Sequence, residues 1–375
     1  MSFTVSANAE NPPPKCTKTT LSSLPLPDEM STVCFAYVPR CDYPSLSQVS
    51  KTFNQLIASS YLYRVRSLRQ STEKVLYIAL RFSRYQNPIW YTLNQKPYKE
   101  ESNSLNHKLV PCPKSFPSLS FWGSNVIVIG KDMYVLGGGI NGGLTTDAFA
   151  IDCITRTCRS LPSMRVARHY AAFGVVDDKI YVLGGCDEKD KSSEDWVEVF
   201  NLKNQTWESF QGVCNKQLQK KTFCSVVMNE KIYIMDRKKS FVYDPKKNKW
   251  ARENSLESEW PVGSCVIDNM LYTFGTENGI RVYNPKARIW RVLKGVNEDL
   301  PDMRGSQGLS RMANHGGKLV ILLKRDEPRK TNIWCSEIAI ERRGQGEVWG
   351  KVLWTNLVIS FNNCPSIAQC LDVII

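Results

Sequence analysis

Long apolar runs are missing from this sequence. The longest candidates, such as Val126–Ile129, are strand-sized, far below the roughly 18–20 residues a bilayer-spanning helix needs. Histidine is scarce: His107, His169 and His315 are the only three, and their wide separation leaves no imidazole set at metal-ligand spacing. Cysteine is plentiful at 13, yet no CxxC pair exists. The closest spacing, Cys153 to Cys158, has no second pair to complete a site. No Walker sequence, no strand-borne GxGxxG and no nucleophile elbow appears, which argues against nucleotide binding and hydrolase chemistry. The start of the chain lacks the charged beginning and apolar centre of a secretory signal.

What is present has an ordinary globular balance, with 42% hydrophobic and 23% charged residues in 375. That length can bury a real core in one large or two unequal domains. The cysteines are odd in number and many, such as Cys224, Cys265 and Cys370, sit in apolar stretches. They read as reduced small hydrophobes of a cytoplasmic or nuclear chain, and neither a metal nor another cofactor is expected. Net charge is +13, carried in short clusters such as Lys220-Lys221, Arg237–Lys239 and Arg342-Arg343. These read as solvated turns, with an acidic partner as the alternative; without a nucleic-acid motif, nucleic acid is not the expected partner. Residues 1–22 are polar, with prolines at Pro12–Pro14, and are expected to form a disordered tail.

Two periodicities divide the rest. From Leu26 to about Arg66 the apolar spacing is helical. Met30, Val33, Cys34, Tyr37 and Val38 fall on one predicted helix face, with Asp28 and Glu29 at its start. Pro39–Asp42 breaks that helix, and a second begins near Tyr43-Pro44. Its predicted apolar face is Leu46, Val49, Phe53, Leu56 and Ile57; a third short segment starts at Tyr61. About forty residues in three helices have too little core to stand comfortably alone. Part of their apolar surface is expected to meet a neighbour or partner.

Beyond about Gln70 the chain repeats itself. Met133, Ile180, Ile232, Leu271 and Leu319 open similar apolar strands at spacings of 47, 52, 39 and 48 residues. Each follows another apolar strand and a tight polar turn, for example Asp177-Asp178-Lys179 and Asp268-Asn269, the mark of a hairpin. An aromatic marker follows at fixed distance: Phe200 to Trp207, Tyr243 to Trp250 and Tyr283 to Trp290 are each seven residues apart. Four strands in about 40–50 residues make one sheet, and a ring of such sheets covers both faces of each. The recurrent aromatics are expected to supply contact between sheets, and Gly137-Gly138 and Gly184-Gly185 to permit positive φ and close backbone approach. Residues 75–113 hold three further strands but lack an innermost one, which the run Cys370–Ile375 resembles. The expectation is a six-bladed β-propeller over 75–375, its first blade 75–113 closed by residues 366–375.

The paired strand and Gly-Gly at Tyr134–Gly138 and Tyr181–Gly185, with Trp207, Trp250 and Trp290 downstream, resemble kelch repeats. The run Leu26-Pro27-Asp28-Glu29, continued through Tyr43-Pro44-Ser45-Leu46 to Phe53, resembles an F-box, most closely the form fused to kelch repeats in plants. Together the two resemblances cover nearly everything after residue 22, with the F-box at 23–68. One departure is Ser31-Thr32, where the family usually carries apolar residues.

The resemblance implies a mainly β chain: a three-helix F-box before a six-bladed kelch-type propeller. It implies a non-catalytic substrate receptor of an SKP–cullin–F-box ubiquitin ligase. Leu26, Pro27, Met30, Val33, Val38, Tyr43, Pro44, Leu46, Val49 and Phe53 would then form or support the surface for the SKP adaptor, which connects to cullin and RING subunits. Target proteins would bind loops on one propeller face, with Arg165, Arg168, His169, Trp260 and Arg311 as candidates. Two alternatives stand beside it. One is a kelch interaction scaffold without ligase coupling. The other is a copper oxidase on a similar propeller, disfavoured by the scattered histidines.

Overall fold

A computed structural model of the chain describes residues 26–83, 86–97, 105–118, 122–140, 143–186, 196–208, 224–236, 239–256, 260, 263–274, 279–296, 299–301 and 310–375. The tail expected at 1–22 lies outside the described residues. Among those described, no helix is long and apolar enough to cross a membrane.

The helical module comprises α1 (Asp28–Ala36), a 3₁₀ turn at Arg40–Asp42, α2 (Tyr43–Leu46), α3 (Lys51–Ala58) and α4 (Ser60–Leu68). The second predicted helix is thus two. Ser50 takes an extended conformation and its hydroxyl accepts from the Phe53 N–H at 3.1 Å, an N-cap that restarts the helix. Ser59 caps α4 through Tyr61 in a similar way. Phe35 meets Phe53 edge to face at 4.7 Å between ring centres, and Leu62, Tyr63 and Val65 of α4 complete the buried side.

Six four-stranded antiparallel sheets follow. Listing strands from innermost to outermost, blade one is Ser366–Ile374, Lys74–Arg81, Ile89–Pro97 and Leu105–Pro111. Blade two is Asn125–Ile129, Asp132–Leu136, Ala148–Asp152 and Thr157–Leu161; blade three is Ala172–Val176, Lys179–Leu183, Val197–Asn201 and Thr206–Glu208. Blade four is Cys224–Met228, Lys231–Asp236, Lys239–Asp244 and Lys249–Arg252; blade five is Cys265–Ile267, Met270–Phe274, Ile280–Asn284 and Ile289–Val292. Blade six, with the longest strands, is Arg311–His315, Lys318–Glu327, Lys330–Arg342 and Val348–Phe361.

The tight polar turns between first and second strands place both residues at positive φ, as at Asp177 and Asp178, Asn229 and Glu230, or Asp268 and Asn269. That backbone matches the twist of the strands it joins. The seven-residue aromatic spacing is a cross-strand pair: Phe200 lies opposite Trp207, Tyr243 opposite Trp250 and Tyr283 opposite Trp290. Each ends a turn whose last residue has positive φ (Gln205, Asn248, Arg288). The aromatics therefore pack first within their own blade, with ring centres 4.8–5.1 Å apart. Contact beyond it comes through rings, as Tyr243 meets Tyr181 of blade three at 6.4 Å and Trp250 meets Trp196 at 5.5 Å, and through the indole N–H, as when Trp207 donates to the Pro162 carbonyl at 2.7 Å.

Neighbouring innermost strands are stitched by polar side chains. Ser225 bonds both N–H and C=O of Phe173, Asn314 donates to the Val266 carbonyl, and His315 pairs with Asp372 at 2.8 Å. The C-terminal strand completes the ring, with Val373 and Ile375 buried against blades one and two.

Candidate docking surfaces

α1 turns the unexpected face inward. Ser31, Thr32, Phe35 and Ala36 are buried, while Met30 (55% exposed), Cys34 and Tyr37 face solvent. Apolar residues in α1 are not confined to one face, and Ser31 and Thr32 are small enough to be buried, so periodicity could not choose its face; the ring contact of Phe35 with Phe53 and the packing on α4 did. Thr32, 1% exposed, satisfies its hydroxyl by donating to the Asp28 carbonyl one turn back at 2.7 Å. Ser31 and Thr32 thus lie in the interior of the module and not on its outer surface.

The ten residues expected to meet or support an adaptor fall into three groups. Leu26, Pro27, Met30, Pro44 and Val49 are exposed, Leu26 and Val49 at 60% and 65%. Val33, Val38, Leu46 and Phe53 are half-buried and pack on the apolar cluster beneath. Tyr43 is buried and supports from inside: its hydroxyl donates to the Phe35 carbonyl at 2.9 Å. α3 buries no residue fully, leaving Phe53, Leu56 and Ile57 only partly covered.

Arg66 and Glu73, which the sequence did not single out, join this module to the propeller. Arg66 is 2% exposed; it donates to the Val38 carbonyl, the Tyr43 hydroxyl and, at 2.5 Å, the Glu73 carboxylate. The same carboxylate accepts from the Arg40 backbone N–H, and the Glu73 backbone exchanges two 2.8 Å hydrogen bonds with Ile375. Helical module, first blade and C-terminus therefore meet at one residue. Arg66 lies near the end of the F-box resemblance and Glu73 beyond it, but only burial and partners reveal the joint.

The five candidates on the propeller do not form one patch. Arg168, 1% exposed, binds the Glu198 carboxylate through Nε and Nη2 at 3.1 and 3.0 Å, and the Gly184 carbonyl at 2.6 Å. Its guanidinium is thus committed inside blade three and is not offered to a ligand. The Arg168 carbonyl would lie 2.5 Å from a Cβ at Gly137, and the His169 carbonyl 2.7 Å from one at Gly185. With φ of +60° and +74°, both positions require glycine. Trp260 is also buried, donating to Ser264 at 2.7 Å. Burial lowers the Arg311 pKa, and its charge acts on Cys224 and Cys370 on the innermost strands of blades four and one, which places it toward the ring's centre. Arg165 is exposed, and half-buried His169 lies near Trp122 and Tyr170, at 6.0 and 5.4 Å between ring centres. Of the five, Arg165, His169 and, toward the ring's centre, Arg311 keep exposed surface; exposed Trp122 was missed because a lone tryptophan outside the repeat register carries no signal.

Family models match both parts of the chain: an F-box domain over residues 23–65 and the FKB95 kelch-repeats domain over residues 90–359. An F-box/kelch-repeat protein of Arabidopsis thaliana is 59% identical over 388 aligned positions, covering 100% of both chains. A second from the same plant is 48% identical, covering 97% of this chain and 93% of its own. A third, named as a kelch repeat-containing protein, is 40% identical over 93% of this chain and 86% of its own.

Proposed function

The chain belongs to the F-box/kelch-repeat family, and from that premise we propose that it is a substrate receptor of an SKP–cullin–F-box ubiquitin ligase. The helical module docks the SKP adaptor, and the propeller holds a target protein. One observation carries the reading: the module keeps Leu26, Met30 and Val49 more than half exposed while burying Ser31 and Thr32. Apolar side chains left in water on a module this small are expected at a partner surface.

The receptor itself does no covalent chemistry on this reading. It raises the effective concentration of target lysines near a separate ubiquitin-transferring enzyme. Orientation matters for that role, and the Arg66–Glu73–Ile375 joint supplies a defined angle between the two parts. Targets meet the face bearing Arg165, His169 and Trp122, where a cation and an exposed ring suit an acidic or aromatic segment.

Co-purification with an SKP adaptor tests the reading, using the native chain beside Leu26→Asp/Val49→Asp. The native protein is expected to retain the adaptor and the variant to lose it while keeping its melting temperature. A native chain that fails to bind, where another F-box protein succeeds, would leave a kelch scaffold without ligase coupling.

A further inference from the structure

We propose that the cleft between the helical module and the first two blades binds a small organic anion, a phosphate or carboxylate carried on an apolar body. The cleft measures about 430 Å³, within the usual range for small-molecule sites. Arg40 from the 3₁₀ turn lines it from the helical side, and Arg156, on a blade-two turn with φ of +60°, lines it from the other.

Among the described residues neither guanidinium has an ion-pair or hydrogen-bond partner. Arg40 Nε is buried without one, and its guanidinium carbon sits 5.9 Å from the Tyr63 ring centre. Buried donors are usually satisfied; Arg66, Arg81 and Arg281 likewise bury an Nε that forms no hydrogen bond among the described residues, so the case rests on two guanidinia lining one cleft. The neighbouring carboxylates are already engaged: Glu73 by Arg66, Asp152 by Lys131. Asp42 is exposed and forms no ion pair among the described residues. Both arginine charges also act on the Cys112 thiol, whose pKa burial nonetheless pushes up to about 12. Two like charges face one space, and an anion between them relieves their repulsion. A planar guanidinium suits bidentate binding of phosphate or carboxylate. Asn94 adds an amide, while Ile57 and Ile154 line the cleft with apolar surface, which favours an organic ligand over a bare ion.

The inference rests on the fold and is independent of the ligase reading. Its test is isothermal titration of the full-length chain with phenyl phosphate, benzoate and inorganic phosphate. Phenyl phosphate or benzoate is expected to bind saturably, and more tightly than inorganic phosphate. Arg40→Gln and Arg156→Gln are each expected to weaken it by at least about tenfold, the loss of a charge-assisted contact, whereas Arg64→Gln, at an exposed position of α4 outside the cleft, leaves it unchanged. Absence of saturable binding, equal affinity for inorganic phosphate, insensitivity to both cleft variants, or equal loss with Arg64→Gln would each overturn the proposal. Arg156 is exposed on a turn, so its variant keeps the test valid even where Arg40→Gln fails to fold.

Discussion

The helical module and the propeller bury apolar surface to different ends. Second strands of the blades are nearly sealed, as in Met270–Phe274, where every residue is buried. α3 has a strongly amphipathic pattern and no buried residue at all. A ring of sheets can cover every apolar face with its own neighbour and closes without a free innermost edge. Four short helices cannot, and what they leave uncovered is where an outside partner contributes. The two parts are expected to respond to substitution in opposite ways: the propeller in stability, the helical module in binding.

The largest effect should come from removing residues 366–375. Blade one would lose its innermost strand with Ile367, Val373 and Ile375, each worth about 1.5–3 kcal/mol when fully buried. Calorimetry is expected to show loss of the cooperative propeller transition; an unchanged melt would mean that the ring does not depend on its closing strand. Next is Arg168→Met, which leaves the buried Glu198 carboxylate with the Arg165 and Val166 backbone N–H groups but no countercharge and should destabilise by about 3–5 kcal/mol. Denaturant unfolding measures it, and adding Glu198→Leu should not recover the loss, because the Arg165 and Val166 backbone N–H groups then lose their carboxylate acceptor. Adaptor binding by the single variant at low temperature should be unchanged, sharpening the contrast between the parts.

Leu26→Asp/Val49→Asp reverses the pattern, with adaptor affinity falling at least about tenfold while stability shifts by no more than about 0.5 kcal/mol per surface site. A large fall in melting temperature would instead make those residues part of the module's own packing. Smallest is Thr32→Val, which keeps shape and removes a hydroxyl bonded only to its own helix. It should change stability by less than about 1 kcal/mol and leave adaptor binding alone. A loss of adaptor there would contradict the interior position of Thr32.

Repeat architecture was legible because it is written several times. The aromatic spacing, the paired glycines and the polar hairpin turns each recur, and each maps onto one local backbone event. Helix faces were less legible. In α1 the apolar residues run from Met30 through Tyr37 with few interruptions, so a periodic pattern fits more than one face. Arg168 illustrates the limit on the propeller. As a letter beside Arg165 and His169 it reads as a basic recognition group, and only Glu198, thirty residues away, turns it into an interior support.

Where strands start and stop, which turns need positive φ, and that a helical segment precedes a repeating array could all be read from the amino-acid order, because each is a matter of local physics. Those depend on side chains within one turn or one hairpin. Which charges are buried, which helix face is left for a partner, and how the two parts are joined at Glu73 were decided by the tertiary structure. Their partners are distant in the chain, and burial is a property of the assembled neighbours and not of the residue.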